Sequence, residues 1–215
     1  MKEFVGSWPF LGTWLVLSVV CLAIVIRDLR RKNPEIMPLM RFVWGLTVAY
    51  SGPLGLAAYF FAGRKQIDHD SLLRRGLRST AHCYSGCGLG EVLGVLLTVG
   101  VFGATQSVVI GTTFGLAYLL GLGLTAGPLI QDGESKRAAL KDALISESAS
   151  IVVMELVAIS VDLLLAGNAG WSEVLFWSSL VVSLTLGFLA ALPVNILFVR
   201  WGVKEGMKSP KAMAA

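Results

Sequence analysis

Charge is scarce in this chain: 15% of its 215 residues are ionised types, and long stretches carry none. A soluble domain carries roughly 25%, so a conventional water-facing surface is excluded. Cysteine is scarce too. Three residues cannot build a disulfide framework, and only Cys83 and Cys87 form a spaced pair. The chain lacks a glycine loop followed by lysine and serine or threonine, and it lacks an HExxH pair. It therefore carries neither the phosphate cradle of a P-loop enzyme nor the ligand pair of a zinc protease. Gly86, Gly88 and Gly90 superficially resemble a dinucleotide fingerprint, but no strand or βαβ unit surrounds them. Ser85 and Ser107 have no positioned histidine to suggest hydrolysis. The first ten residues lack the basic region, apolar stretch and small-residue cleavage site of a signal peptide, so 8–26 is expected to be a retained span.

Apolar residues are abundant, at 55%. A bilayer crossing needs roughly 20 mostly apolar residues, and six segments approach that length: 8–26, 42–62, 83–103, 107–127, 142–166 and 171–201. The expected fold is all-α, a polytopic transmembrane bundle of about six spans forming one membrane domain over 1–215. Its surroundings are the lipid bilayer. The net charge of +4 then reads as headgroup contact and topology signal, and nucleic acid is excluded as a partner. Gly52-Pro53 near the middle of the second segment predicts a kink or break, and Pro193 a bend in the sixth. Gly127-Pro128 predicts a helix stop, and Gly167-Asn168-Ala169-Gly170 a short turn. In the 63–80 connector, Leu72, Leu73 and Leu77 suggest a short interfacial helix with Asp68 and Asp70 on its exposed side. His69, Gln106 and Asp132 are expected in polar connectors, and Cys21 to pack within its span.

Six crossings place both termini on one side. Lys2, the five bases of the 63–80 connector, the three of the 129–141 loop, and Arg200, Lys204, Lys208 and Lys211 would share it. Basic loops face the cytoplasm, so both termini are expected there. The first loop is the exception, because Arg27, Arg30, Arg31, Lys32 and Arg41 would lie outside. Five crossings, or a re-entrant first segment, would remove that exception.

The main anomaly is acid inside oily sequence. Ionisable groups at membrane depth face protein or water and mark functional sites. Residues four apart share a helix face, so Cys83, Cys87 and Glu91 form one ladder, with His82 beside its entrance. Gly86, Gly90 and Gly94 form a neighbouring smooth ladder suited to close helix approach. In the fifth segment Glu147, Glu155 and Asp162, at spacings of eight and seven, fall near one stripe. Asn195 in the sixth is expected near the cytoplasmic layer with Glu147, either as a polar partner or repairing backbone groups freed by Pro193. Together these groups predict an oblique polar route across the bilayer.

The chemistry divides. Thiolates and imidazole suit soft or transition metals, copper or zinc as substrate or ligand. On that reading His82, Cys83 and Cys87 capture a cation while Glu91 and Glu155 compensate its charge. The carboxylates alternatively relay protons coupled to another small solute. A cycling Cys83–Cys87 disulfide would instead indicate thiol–disulfide oxidoreductase chemistry. The bland alternative is a structural assembly protein. Metal-cation transport is the leading expectation, and the small number of spans leaves room for a homodimer.

The runs His82-Cys83-Tyr84-Ser85-Gly86-Cys87-Gly88-Leu89-Gly90-Glu91 and Leu192-Pro193-Val194-Asn195-Ile196-Leu197-Phe198-Val199-Arg200-Trp201-Gly202-Val203-Lys204-Glu205 resemble the bacterial membrane family called domain of unknown function 4396. So does Val43-Trp44-Gly45-Leu46-Thr47-Val48-Ala49-Tyr50-Ser51-Gly52-Pro53-Leu54. The family commonly has aspartate where this chain has Glu91. The resemblance implies a multi-span protein of a bacterial inner membrane. It strengthens His82, Cys83, Cys87, Glu91 and Asn195 as site candidates without supplying an activity.

Overall fold

The computed structural model describes residues 2–131, 133–167, 169–204, 206–207 and 209–213. Asp132, Asn168 and Lys208, invoked above for a loop, a turn and the charge count, lie outside them.

All six apolar segments are helical. After a short turn of helix α1 (Lys2–Val5), the long helices are α2 (Trp8–Arg31), α3 (Pro38–Ala62), α4 (Leu72–Val95, continued by a π-helical stretch Leu96–Val101), α5 (Gln106–Gln131), α6 (Lys136–Leu165) and α7 (Val174–Arg200); α8 (Pro210–Met213) is one turn. Serine caps fix three of the starts. Ser7, Ser71 and Ser135 accept from the backbone N–H of Phe10, Arg74 and Ala138, as small hydroxyl residues do at N-caps. Two expected boundaries move. Leu72, Leu73 and Leu77 are the first turns of α4 itself, and α5 runs through Pro128 to Gln131. A proline removes one donor, which a long packed helix tolerates.

Five of these helices, α2 and α4 to α7, are long and apolar enough to cross a bilayer. The second segment does something else. At Gly52 the backbone adopts φ 51° and ψ −122°, a conformation glycine supplies in reversing turns. The arms 38–51 and 53–62 fold against each other. Trp44 and Tyr59 would stand about 22 Å apart on a straight helix, yet their ring centroids are 5.5 Å apart. A Cβ on Gly55 would lie 2.6 Å from the Thr47 carbonyl oxygen, so the arms meet backbone to backbone. Pro53 opens the returning arm, where its missing N–H has no helical partner to lose. The hairpin tip reaches the mid-depth of α4: Ser51 Oγ donates to Tyr84 Oη at 2.9 Å, and Tyr50 meets the Tyr84 ring.

The hairpin changes the placement of the chain ends. The C-terminal end of α2 and the exit of α3 are clamped together, with Asp28 accepting from Arg64 at 3.1 and 3.2 Å, Tyr59 Oη at 2.8 Å and Asn33 at 2.8 Å. Beside them Lys65 donates to Glu35, and that hydrogen bond holds the Glu35 carboxyl below its ordinary range. At the other end of α2, Gly6 lies against Leu175 at the start of α7. The start of α2 and the end of α7 therefore sit at opposite ends of the bundle, unlike the expectation of a shared side for the termini. Every described Arg and Lys except Lys2 gathers at one end, which is called the basic end below. The awkward first loop is thereby removed, through a re-entrant second segment rather than a re-entrant first.

Within the bundle α4 is central, packing on α5, α7, α3 and α6, while α6 packs chiefly on α7. Tyr84, Phe188, Ile151, Met154 and Ala117 are buried at its heart. Large apolar residues such as Val16, Leu119 and Leu164 point outward, as a lipid-facing surface requires.

Candidate functional site

The glycine ladder of α4 sets the geometry. A Cβ on Gly86 would lie 2.8 Å from Gly121 Cα, and one on Gly94 2.8 Å from Thr113 Cα; Gly90 abuts the Ala117 backbone. This close contact with α5 leaves the adjacent face of α4, carrying Cys83, Cys87 and Glu91, turned toward α6. Cys83 Sγ lies 3.6 Å from Ser150 Oγ, and Cys87 follows one turn later on the same face of α4. Neither is in a disulfide. Pro193 is carried within α7.

At the basic end Glu147 is 3% exposed and fully partnered. Its Oε2 accepts from Lys204 Nζ at 2.7 Å and its Oε1 from Thr125 Oγ1 at 3.2 Å. Lys204 Nζ also donates to Asn195 Oδ1 at 2.8 Å, and Asn195 Nδ2 to the Ala191 carbonyl at 3.1 Å. Asn195 thus bonds inward to a cation and along its own helix. His82, 5% exposed, stands within electrostatic reach of Glu147 and Lys204. A cavity of about 450 Å³ opens here, lined by His82, Glu147, Lys204, Ser79, Thr125 and Asp142 among others.

A second cavity of about 420 Å³ opens at the opposite end, where the π-helical stretch, the start of α5, the end of α6 and the start of α7 converge. Glu91 and Asp162 line it. Asp162 Oδ1 accepts from Ser179 Oγ at 2.6 Å, whereas Glu91 Oε2 has no hydrogen-bond partner among the described residues.

Between the cavities lies a dry septum. Cys83, Cys87, Ser150, Ile151, Met154 and Glu155 are at most 1% exposed and line neither cavity. Both carboxyl oxygens of Glu155 lack a partner among the described residues. Glu91, Cys83 and Cys87 are among the ionisable groups within electrostatic reach of it. Along α6, Glu147, Glu155 and Asp162 span about 22 Å at 1.5 Å per residue, most of a hydrocarbon core about 30 Å thick. Among the described residues, no three His, Cys, Asp or Glu side chains gather as a metal-holding group.

Sequence reasoning missed two buried bases. Lys204 was counted only as a topology signal. It enters the core because Gly202 (φ 73°) turns the chain back after α7, and that glycine was the available signal. Arg78 is fully buried, donating to the Met207 and Ala62 carbonyls at 3.0 and 3.3 Å and to Asp70 at 2.7 Å. It ties the C-terminal segment to the hairpin, and its partner Asp70 is exposed, as expected.

The fold and the buried polar line define a helical membrane protein with a cavity toward each end of the bundle. The chain belongs to the family described as Domain of unknown function (DUF4396), whose sequence pattern matches residues 73–204. That stretch is α4 to α7 with Lys204, and it contains every acid, thiol and amide of the site; α2 and the hairpin lie outside it. No curated protein and no solved structure matches the chain.

Proposed function

We propose that the protein carries protons or small cations across the inner membrane of a bacterium, along the acids that join its two vestibules. The basic end faces the cytoplasm, which puts the N-terminus outside. The observation that carries this reading is Glu155, a fully buried carboxyl without a partner, midway between two cavities that open at opposite ends. A buried carboxyl without a hydrogen-bond partner costs roughly 1–3 kcal/mol even when neutral and contributes nothing to packing that methionine would not. A travelling positive charge gives it a purpose. Vestibules separated by a thin septum suit alternating access, in which small helix movements wet Glu155 from one side and then from the other.

A second reading, transit of a soft metal such as copper or zinc, is favoured by one observation. Cys83 and Cys87 lie together in the same septum, and Cys87 is within electrostatic reach of Glu155. Flux into proteoliposomes separates the readings, using an internal pH dye and a panel of monovalent and transition-metal ions. Glu155→Gln is expected to lower flux at least tenfold. If protons or monovalent ions carry the signal, the Cys83→Ser/Cys87→Ser double variant keeps it; loss of metal uptake in that variant selects the soft-metal reading. Wild-type flux in Glu155→Gln sinks both.

A further inference from the structure

We infer that the vestibule opposite the basic end is a binding site for a small organic ammonium ion with an apolar body. This deepens the proposed cation path by naming its passenger. The floor of the cavity is carboxylic: Glu91, 4% exposed, lines it and has a buried oxygen without a partner among the described residues, and Asp162 lines it with one oxygen on Ser179. The walls are aliphatic, among them Val95, Val99 and Ile159. Trp171 and Phe176 also line the cavity, and Trp171, 59% exposed, belongs to its rim.

This combination discriminates among cations. A calcium ion seeks six or more oxygens, and magnesium keeps much of its water. Here much of the lining around the two carboxyls is hydrocarbon, with Val95, Val99, Ile159, Leu163 and Leu180 supplying no oxygen from their side chains. A soft metal would seek thiols, which lie in the septum beyond. An alkylammonium needs only one or two acceptors for its N–H groups, and its carbon body removes the aliphatic walls from water. An aromatic rim adds cation–π attraction as the ion enters. The volume of about 420 Å³ suits a molecule smaller than a drug but far larger than a metal ion.

Equilibrium dialysis of labelled phenethylamine tests this, with purified protein in detergent and protein-free micelles as the blank. Expected is saturable binding, displaced by unlabelled phenethylamine and not by 2-phenylethanol, its neutral counterpart. Glu91→Gln should weaken binding at least tenfold while the protein remains monodisperse. Trp171→Ala, at an exposed rim position, should weaken it several-fold without burdening the fold. Glu155→Gln should bind as wild type, because its carboxyl lies in the septum. Equal displacement by 2-phenylethanol would mean an apolar crevice for lipid chains and overturn the inference, as would wild-type binding by both Glu91→Gln and Trp171→Ala. Should binding fail while Glu155-dependent flux persists, the passenger is wrong and the path stands.

Discussion

Replacing Glu147 by glutamine would leave the Lys204 ammonium buried with neutral amide oxygens beside it and no counter-charge at that contact. Removing one partner of a buried ion pair costs about 3–5 kcal/mol, whereas replacing both by apolar groups is often neutral. Glu147→Gln should therefore lower the unfolding free energy in mixed micelles by that amount. Glu147→Met combined with Lys204→Met should recover most of it. If the single variant is as stable as wild type, the pair is wet and unimportant to the fold. Glu147, Glu155 and Glu91 were legible in the sequence because an acid in an apolar run is anomalous wherever it falls. Lys204 was not, since a lysine in a polar tail is ordinary. Only the turn at Gly202 and the contact with α6 make it a core residue, and both are tertiary facts.

At the level of elements, the helices follow directly from apolar length and serine caps, and the glycine ladder meets α5 through contacts a Cβ would forbid. The hairpin was half legible. Gly52-Pro53 signalled a break, but a break and a reversal differ in long-range contacts such as Trp44 with Tyr59 and Asp28 with Arg64, which local sequence does not encode. The reversal depends on one residue. At Gly52 a Cβ would meet Ser18 Oγ at 2.9 Å in a backbone conformation hostile to side chains. Gly52→Ala should thus destabilise by about 1–3 kcal/mol, read as a lower thermal midpoint in detergent. Pro53→Ala should change little, because the proline occupies a position with no helical N–H bond to lose. Equal effects of the two would contradict the turn.

For the whole molecule, five helices long and apolar enough to cross a bilayer, together with the hairpin, make a topological prediction. Single cysteines at Glu3, Lys32 and Lys136, all exposed positions, can be probed in intact cells with a membrane-impermeant maleimide. Glu3→Cys should label from outside, while Lys32→Cys and Lys136→Cys should label only after permeabilisation. Six crossings would instead put position 32 on the side opposite position 136, so outside labelling of Lys32→Cys removes the hairpin. The charge pattern agrees with the hairpin: one reversal at mid-membrane collects the described bases, save Lys2, at a single face.

The Lys204–Glu147 contact has a consequence for whatever reaches that face. A dissolved ion arriving at Glu147 meets a rival on a leash, joined to α7 by a few residues and therefore never diluted. Short flexible tethers give local concentrations in the millimolar range. On the proposed path, admission at the basic end is then a contest between a guest and a resident, decided by affinity at that carboxylate rather than by diffusion through an open mouth.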